Sequence, residues 1–283
     1  MLIRLGSIAR DEEMIIVKSE NSNLKFTSLQ YMDDDQSFTN GISNDDLAVI
    51  RKSLERDGWA AFTSPLFTEL GLLARSDYLT SMAVTKIHAP DESFGPSDLE
   101  RRPWRKLAIG SQNGLGEPYA QLLQTTYFDE ADKQFNGLTN LFRELRLLRN
   151  SLLEIPSDFG TNRARDRFWN ACRIHHYPIG GGFMMEHQDT HFPRVLEGSN
   201  LPFLQVMMLL SSKGRDYSTG GGFVVSRDGE RLDFENDFGI GTLILFDGSI
   251  RHGVADVDRH EILDFDSQRG RLAAFVNVYE MRI

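Results

Sequence analysis

Two periodicities divide the chain. Between Ser43 and Gly58 the apolar residues Leu47, Ile50 and Leu54 recur at the spacing of one helix face. Ser43 with Asp46 three positions later has the pattern of a capping box, and Gly58 supplies the stop, so a helix is expected between them. Residues 59–62 then read as a strand. A second helical stripe, Leu138, Leu141, Phe142, Leu145, Leu148 and Leu152, carries Arg and Glu on its opposite side and should pack against a sheet. After Pro156 the pattern changes to short apolar runs punctuated by glycine. Strands are expected over 171–177, 183–189, 204–211, 222–227, 231–234, 242–246, 252–257 and 271–281. Eight short strands without alternating helices predict a jelly roll or barrel, not a doubly wound parallel sheet. The fold class is therefore mostly β with flanking helices, an N-terminal mixed α/β region over 1–165 covering a β core over 166–283, as one integrated domain. Residues 87–118 hold many Pro and Gly breakers and read as one long irregular segment, and the acidic run 33–35 as a solvated loop. The glycine stretches 180–182 and 220–222 are not followed by helices, so tight turns or close backbone approach explain them better than a phosphate cradle.

Chemistry concentrates in the run 172–192, CRIHHYPIGGGFMMEHQDTHF. On an extended strand His187 and Asp189 project from the same face, with Phe183 and Met185 as apolar neighbours on that face. A carboxylate aimed into an apolar barrel is costly unless something compensates it, and a metal ion would. His252, in Arg-His-Gly-Val after another apolar strand, offers a third ligand. Two imidazoles and one carboxylate suit ferrous iron with open positions. His191 continues the alternation and competes with these three, although Pro193 follows it closely.

In the order Tyr-Pro-x-Gly, His-x-Asp, Gly-Gly, His, Arg, residues 172–280 resemble the Fe(II)/2-oxoglutarate-dependent dioxygenases, with Tyr177, Pro178 and Gly180 standing where prolyl-hydroxylase-type members have a Tyr-Pro-Gly turn. The resemblance implies a double-stranded β-helix core and Fe(II) held by His187, Asp189 and His252. It also implies 2-oxoglutarate and O2 as co-substrates, with hydroxylation of a C–H bond and release of succinate and CO2. The distal carboxylate of 2-oxoglutarate then needs a cation. Arg271 shares a strand face with Ala273, Phe275 and Asn277 and is expected to reach inward, with Arg269 as the alternative and Tyr177 replacing a hydroxyl missing at Ala273. Because Asp189 is present, halogenation is the less expected outcome.

Composition narrows the partners. A net charge of −10 without a Lys/Arg cluster argues against nucleic acid. The single cysteine, Cys172, excludes an intramolecular disulfide, fits a reducing compartment, and on a core strand reads as a buried thiol. The N-terminus lacks a long apolar run, so a cytoplasmic protein without a membrane partner is expected. A small-molecule substrate, an amino acid or natural-product intermediate, is expected to carry a charged group. Trp104 and Arg105 within 101–106, together with Arg173, His175 and Arg194, are the candidate contacts. Two other readings stay open: a cupin-like barrel that binds without turnover, and a hydroxylase acting on a protein or peptide.

Overall fold

The computed structural model describes residues 16–18, 42–92, 95–100, 103–111, 119–189 and 203–281. The first part of the chain forms β1 (Ile16–Lys18), α1 (Asn44–Asp57), β2 (Trp59–Thr63), α2 (Pro65–Met82), β3 (Ile87–His88), β4 (Trp104–Gly110), β5 (Gln121–Phe128), α3 (Asn136–Leu152) and α4 (Arg163–Asp166). The second part forms β6 (Phe168–Pro178), β7 (Gly182–His187), β8 (Leu204–Leu209), β9 (Gly221–Val225), β10 (Arg231–Leu232), β11 (Leu243–Asp247), β12 (His252–Val257) and β13 (Gly270–Glu280). These strands hydrogen-bond in the order β1-β2-β11-β8-β13-β6-β5-β7-β12-β9-β10, with β4 also on β5 and β3 on β4. β5 makes the fold close. Its residues from Gln124 onward pair with β6, while Gln121 and Leu122 pair with β7. The sheet curls there into a double-stranded β-helix, and β2, β4 and β5 from the N-terminal half belong to the same sheet.

Strand alternation sorts the two faces. On β13, Leu272, Ala274 and Val276 join Leu138, Leu141, Leu145 and Leu148 of α3 in a core between helices and sheet. Ala273 and Phe275 turn the other way, to Trp59, Met207, Ile244 and Phe246 inside the curl. β6 alternates likewise, sending Cys172 and Ile174 to the helices and Arg173, His175 and Tyr177 inward. The expected helix stripe on α3 is buried in full. α1 starts with the expected capping box at Ser43 and ends at Gly58, whose φ of 82° is left-handed. All eight strands expected after Pro156 are present.

Three departures have physical causes. The segment 87–118 is not irregular throughout, since it contains β4, which pairs along its whole length with β5. β5 itself hides from a hydrophobicity pattern because it buries Gln121, Gln124, Thr125 and Thr126. α2 buries Phe67, Leu70, Ala74, Tyr78 and Met82, but Leu72 at 48% and Leu73 at 37% exposure blur its polar face.

The helix-side core also encloses His176, which is fully buried, edge-on to Tyr78 with ring centroids 6.1 Å apart. Its Nε2 donates to the Arg269 carbonyl at 3.0 Å and its Nδ1 has no partner. Burial lowers its pKa from 6.5 to about 4. The unfolded chain therefore takes up a proton first as the pH falls. Stability from this group is complete above about pH 6.5 and is lost on the way down to pH 4. The shift corresponds to roughly 3 kcal/mol. Urea unfolding at pH 7 and pH 4 should show a drop of this order, and His176→Phe should flatten it. Leu145→Ala, at a fully buried contact of α3 with the sheet, should cost about 2–5 kcal/mol at pH 7.

Candidate metal centre

β7 and β12 run antiparallel with His187 directly opposite His252. This register sets the two imidazoles side by side, with ring centroids 4.3 Å apart. Asp189 follows the end of β7, where its backbone N–H donates to the Gly248 carbonyl at 2.7 Å. That bond turns the carboxylate back toward the rings. His187 Nε2 lies 3.8 Å from Asp189 Oδ1, and His252 Nε2 lies 3.5 Å from Asp189 Oδ2. The three candidate ligand atoms fall within 4.8 Å of one another, a cluster that could hold a metal ion.

The tautomers are set by the backbone. His187 Nδ1 faces the Met185 carbonyl at 2.8 Å and His252 Nδ1 faces the Ile250 carbonyl at 3.0 Å. A carbonyl can only accept, so each Nδ1 carries the hydrogen and each Nε2 directs its lone pair at Asp189 and the space between them. Burial, followed by the neighbouring His252, lowers the His187 pKa to about 4 against the opposing pull of Asp189, and the imidazole is neutral at pH 7. Asp189 Oδ2 also accepts from Gln205 Nε2 at 2.7 Å. Gly248 permits this packing, because a Cβ there would sit 2.6 Å from the Phe203 ring and 2.9 Å from Asp189 Cβ.

The neighbours on the metal face differ by one residue from the alternation rule. Met185 is 53% exposed, and Met184 lines the interior instead. Register explains the correction: His252 pairs with His187 but Val254 pairs with Met184, so β7 carries one extra residue there. Such a bulge reverses the facing of what precedes it.

The triad opens on a cavity of about 670 Å³. Arg271 and Tyr177, opposite each other in the β13–β6 register, both line it. The guanidinium carbon lies 5.0 Å from the Tyr177 ring centroid. Burial raises the Tyr177 pKa to about 12, so its hydroxyl keeps its proton. Arg271 Nε donates to Glu235 Oε1 at 2.6 Å, while Arg271 Nη1 is buried without a partner. Glu235 also accepts from the Gly222 N–H at 3.0 Å and from the Tyr217 hydroxyl. A Cβ on Gly222 would lie 2.6 Å from Glu235 Oε1 and 2.8 Å from Arg271 Nη2, so only glycine lets this pair approach the strand.

The remaining candidates separate cleanly. Arg269 is 53% exposed, within 3.9 Å of Asp258 and 3.8 Å of Glu261, and does not line the cavity. Arg173 and His175 line it. Trp104 stacks on His88 at 3.6 Å, away from the cavity. Arg105 is also turned away, donating to Gln124 Oε1 at 2.6 Å, the Met82 carbonyl at 3.4 Å and the Phe265 carbonyl at 2.9 Å. Arg101, His191 and Arg194 lie outside the described residues. Gln205 and Glu235 escape sequence reasoning, since one sits among apolar strand residues and the other in an acid-rich turn that resembles surface.

No family profile matches the chain, and no curated protein sequence matches it either. Solved structures do. A prolyl hydroxylase from Trichoplax adhaerens, in complex with a hypoxia-inducible-factor peptide, superimposes with a TM-score of 0.50 at 12% identity, over 83% of this chain and 89% of that one. A Pseudomonas putida prolyl-4-hydroxylase gives a TM-score of 0.50 at 16% identity, over 84% of this chain and all of that one. The fold is the double-stranded β-helix of these enzymes.

His187→Ala and His252→Ala should each abolish stoichiometric binding of a divalent ion, measured by chelator competition, while leaving the circular dichroism spectrum intact. Gln205→Met, which removes only the donor behind Asp189, should weaken metal affinity by about 10- to 100-fold.

Proposed function

We propose that the chain is an Fe(II)- and 2-oxoglutarate-dependent oxygenase that hydroxylates a C–H bond of a small organic molecule. The observation that carries this reading is the preoriented His187–Asp189–His252 cluster opening on the same cavity as the unpartnered Arg271 Nη1. The residues fit the groups they would hold. Three protein ligands on one side of an ion leave positions free for a chelating co-substrate and dioxygen. Bound there, iron with 2-oxoglutarate and O2 supplies the oxidising power for hydroxylation, and the co-substrate leaves as succinate and CO2.

The chain's own contributions are positional. His187, Asp189 and His252 hold the ion. Glu235 fixes Arg271 through Nε, which leaves Nη1 to donate to the distal carboxylate beside the Tyr177 hydroxyl. Tyr119 stacks on His187 at 4.0 Å between ring centroids and covers it against water. A small substrate is favoured by the cavity's size, which falls within the roughly 300–1,000 Å³ range of small-molecule sites, and by the aromatic side chains that wall it.

Succinate formation in the presence of Fe(II), 2-oxoglutarate and candidate substrates tests the reading. Arg271→Gln should raise the KM for 2-oxoglutarate by about 30-fold or more, the loss of a desolvated charge pair. Arg269→Gln should change it less than about twofold, as expected for an exposed cation. Turnover stimulated by peptides alone would transfer the substrate assignment to a macromolecule, and no turnover with any co-substrate would leave a binding protein.

A further inference from the structure

Three permanent cations line the cavity among the described residues, and two of them are accounted for. Arg271 is matched by Glu235, and Lys106 Nζ donates to the carbonyls of Pro90 and Glu92, both at 3.3 Å. The third is different. Arg173, 6% exposed at the middle of β6, pairs with no carboxylate among the described residues. Its Nη1 donates to the Tyr279 hydroxyl, and its Nε is buried without a partner. Rings surround it, with the guanidinium carbon 5.4 Å from the Phe275 centroid and 5.5 Å from that of Tyr279. Across the register stands Tyr127, whose hydroxyl bonds to Arg173.

Phenols are neutral partners. A guanidinium does not lose its proton in a protein, so Arg173 is a buried positive charge among neutral aromatic groups. Asp189 is the carboxylate whose charge helps to hold it, and a divalent ion at the triad claims Asp189 as a ligand. With the metal in place, no carboxylate among the described residues is left to pair with Arg173, a costly arrangement unless a ligand brings one.

We propose that Arg173 is the anchor for the primary substrate, a small carboxylic acid with a flat apolar or aromatic body lying between Phe275, Tyr279, Tyr127 and Trp169. The planar guanidinium fork selects a carboxylate, and the rings select the body. This inference rests on the oxygenase reading of the same cavity. Arg173 is separate from the co-substrate arginine: on β6 it lies opposite Phe275, whereas Tyr177, two inward positions further along, lies opposite Arg271.

The test uses the wild-type chain loaded with Ni(II) and saturating 2-oxoglutarate, titrated calorimetrically with 3-phenylpropanoate and indole-3-acetate and with their primary amides. The acids should bind about 30-fold or more tightly than the amides. Arg173→Gln should abolish that preference and leave 2-oxoglutarate affinity within about twofold, the latter as expected if the co-substrate is held elsewhere. Equal binding of acids and amides by the wild type, or binding of neither, would overturn the proposal, whether or not the variant folds. Tighter binding of phenyl phosphate than of the carboxylates would overturn the carboxylate assignment. A loss of 2-oxoglutarate affinity in Arg173→Gln would overturn it too, by moving Arg173 to the co-substrate. Failure of the wild type to retain Ni(II) or 2-oxoglutarate would mark failure of the oxygenase reading itself, and of this inference with it.

Discussion

The antiparallel register that sets His187 opposite His252 is the constraint on which the site depends. A slip of one residue would turn one imidazole to the other face of the sheet. Several parts of the molecule oppose such a slip. The extra residue in β7 fixes the pairing, the Asp189 N–H holds the strand end to Gly248, and the backbone carbonyls of Met185 and Ile250 set both rings. Outside, the continuous apolar face shared by α1, α2, α3 and the sheet supplies the burial that keeps the strands in place.

Inside the curl, the buried arginines differ in how their charge is met. Arg271 and Glu235 neutralise each other, and their approach depends on the missing side chain of Gly222. Arg173, by contrast, hydrogen-bonds to phenols and pairs with no carboxylate among the described residues. The triad, on β7 and β12, lines the same cavity as both arginines, which stand on the neighbouring strands β13 and β6, so one cavity offers two cations in different surroundings beside a candidate metal position. An arrangement of this kind distinguishes two anionic ligands by position, without separate pockets.

Much of this was legible in the sequence because it rests on short-range periodicity. Period two placed Arg271, Ala273 and Phe275 on one inward face, and the capping box with Gly58 marked α1 to the residue. What escaped did so for identifiable reasons. β5 buries glutamines and threonines, so hydrophobicity is silent where the sheet turns over. α2 exposes two leucines. Met184, not Met185, faces inward because a bulge breaks the alternation. Glu235 meets Arg271 from a short turn after β10, 36 residues away in the chain, which no local pattern encodes.

The connection between β12 and β13 carries a further consequence. It is long, yet its carbonyls are held from beneath: Phe265 accepts from Arg105 and Gln124, and Arg269 accepts from His176. These donors stand on β4, β5 and β6, so the far end of the excursion returns to the sheet at a fixed point, and Arg271 enters the curl opposite Tyr177. Interval along the chain is thereby uncoupled from position in space. Residues can be gained or lost in this connection during descent while the second imidazole and the inward guanidinium keep their places. A motif defined by a fixed count between them would pass over such a chain, whereas one defined by strand pairing would find it.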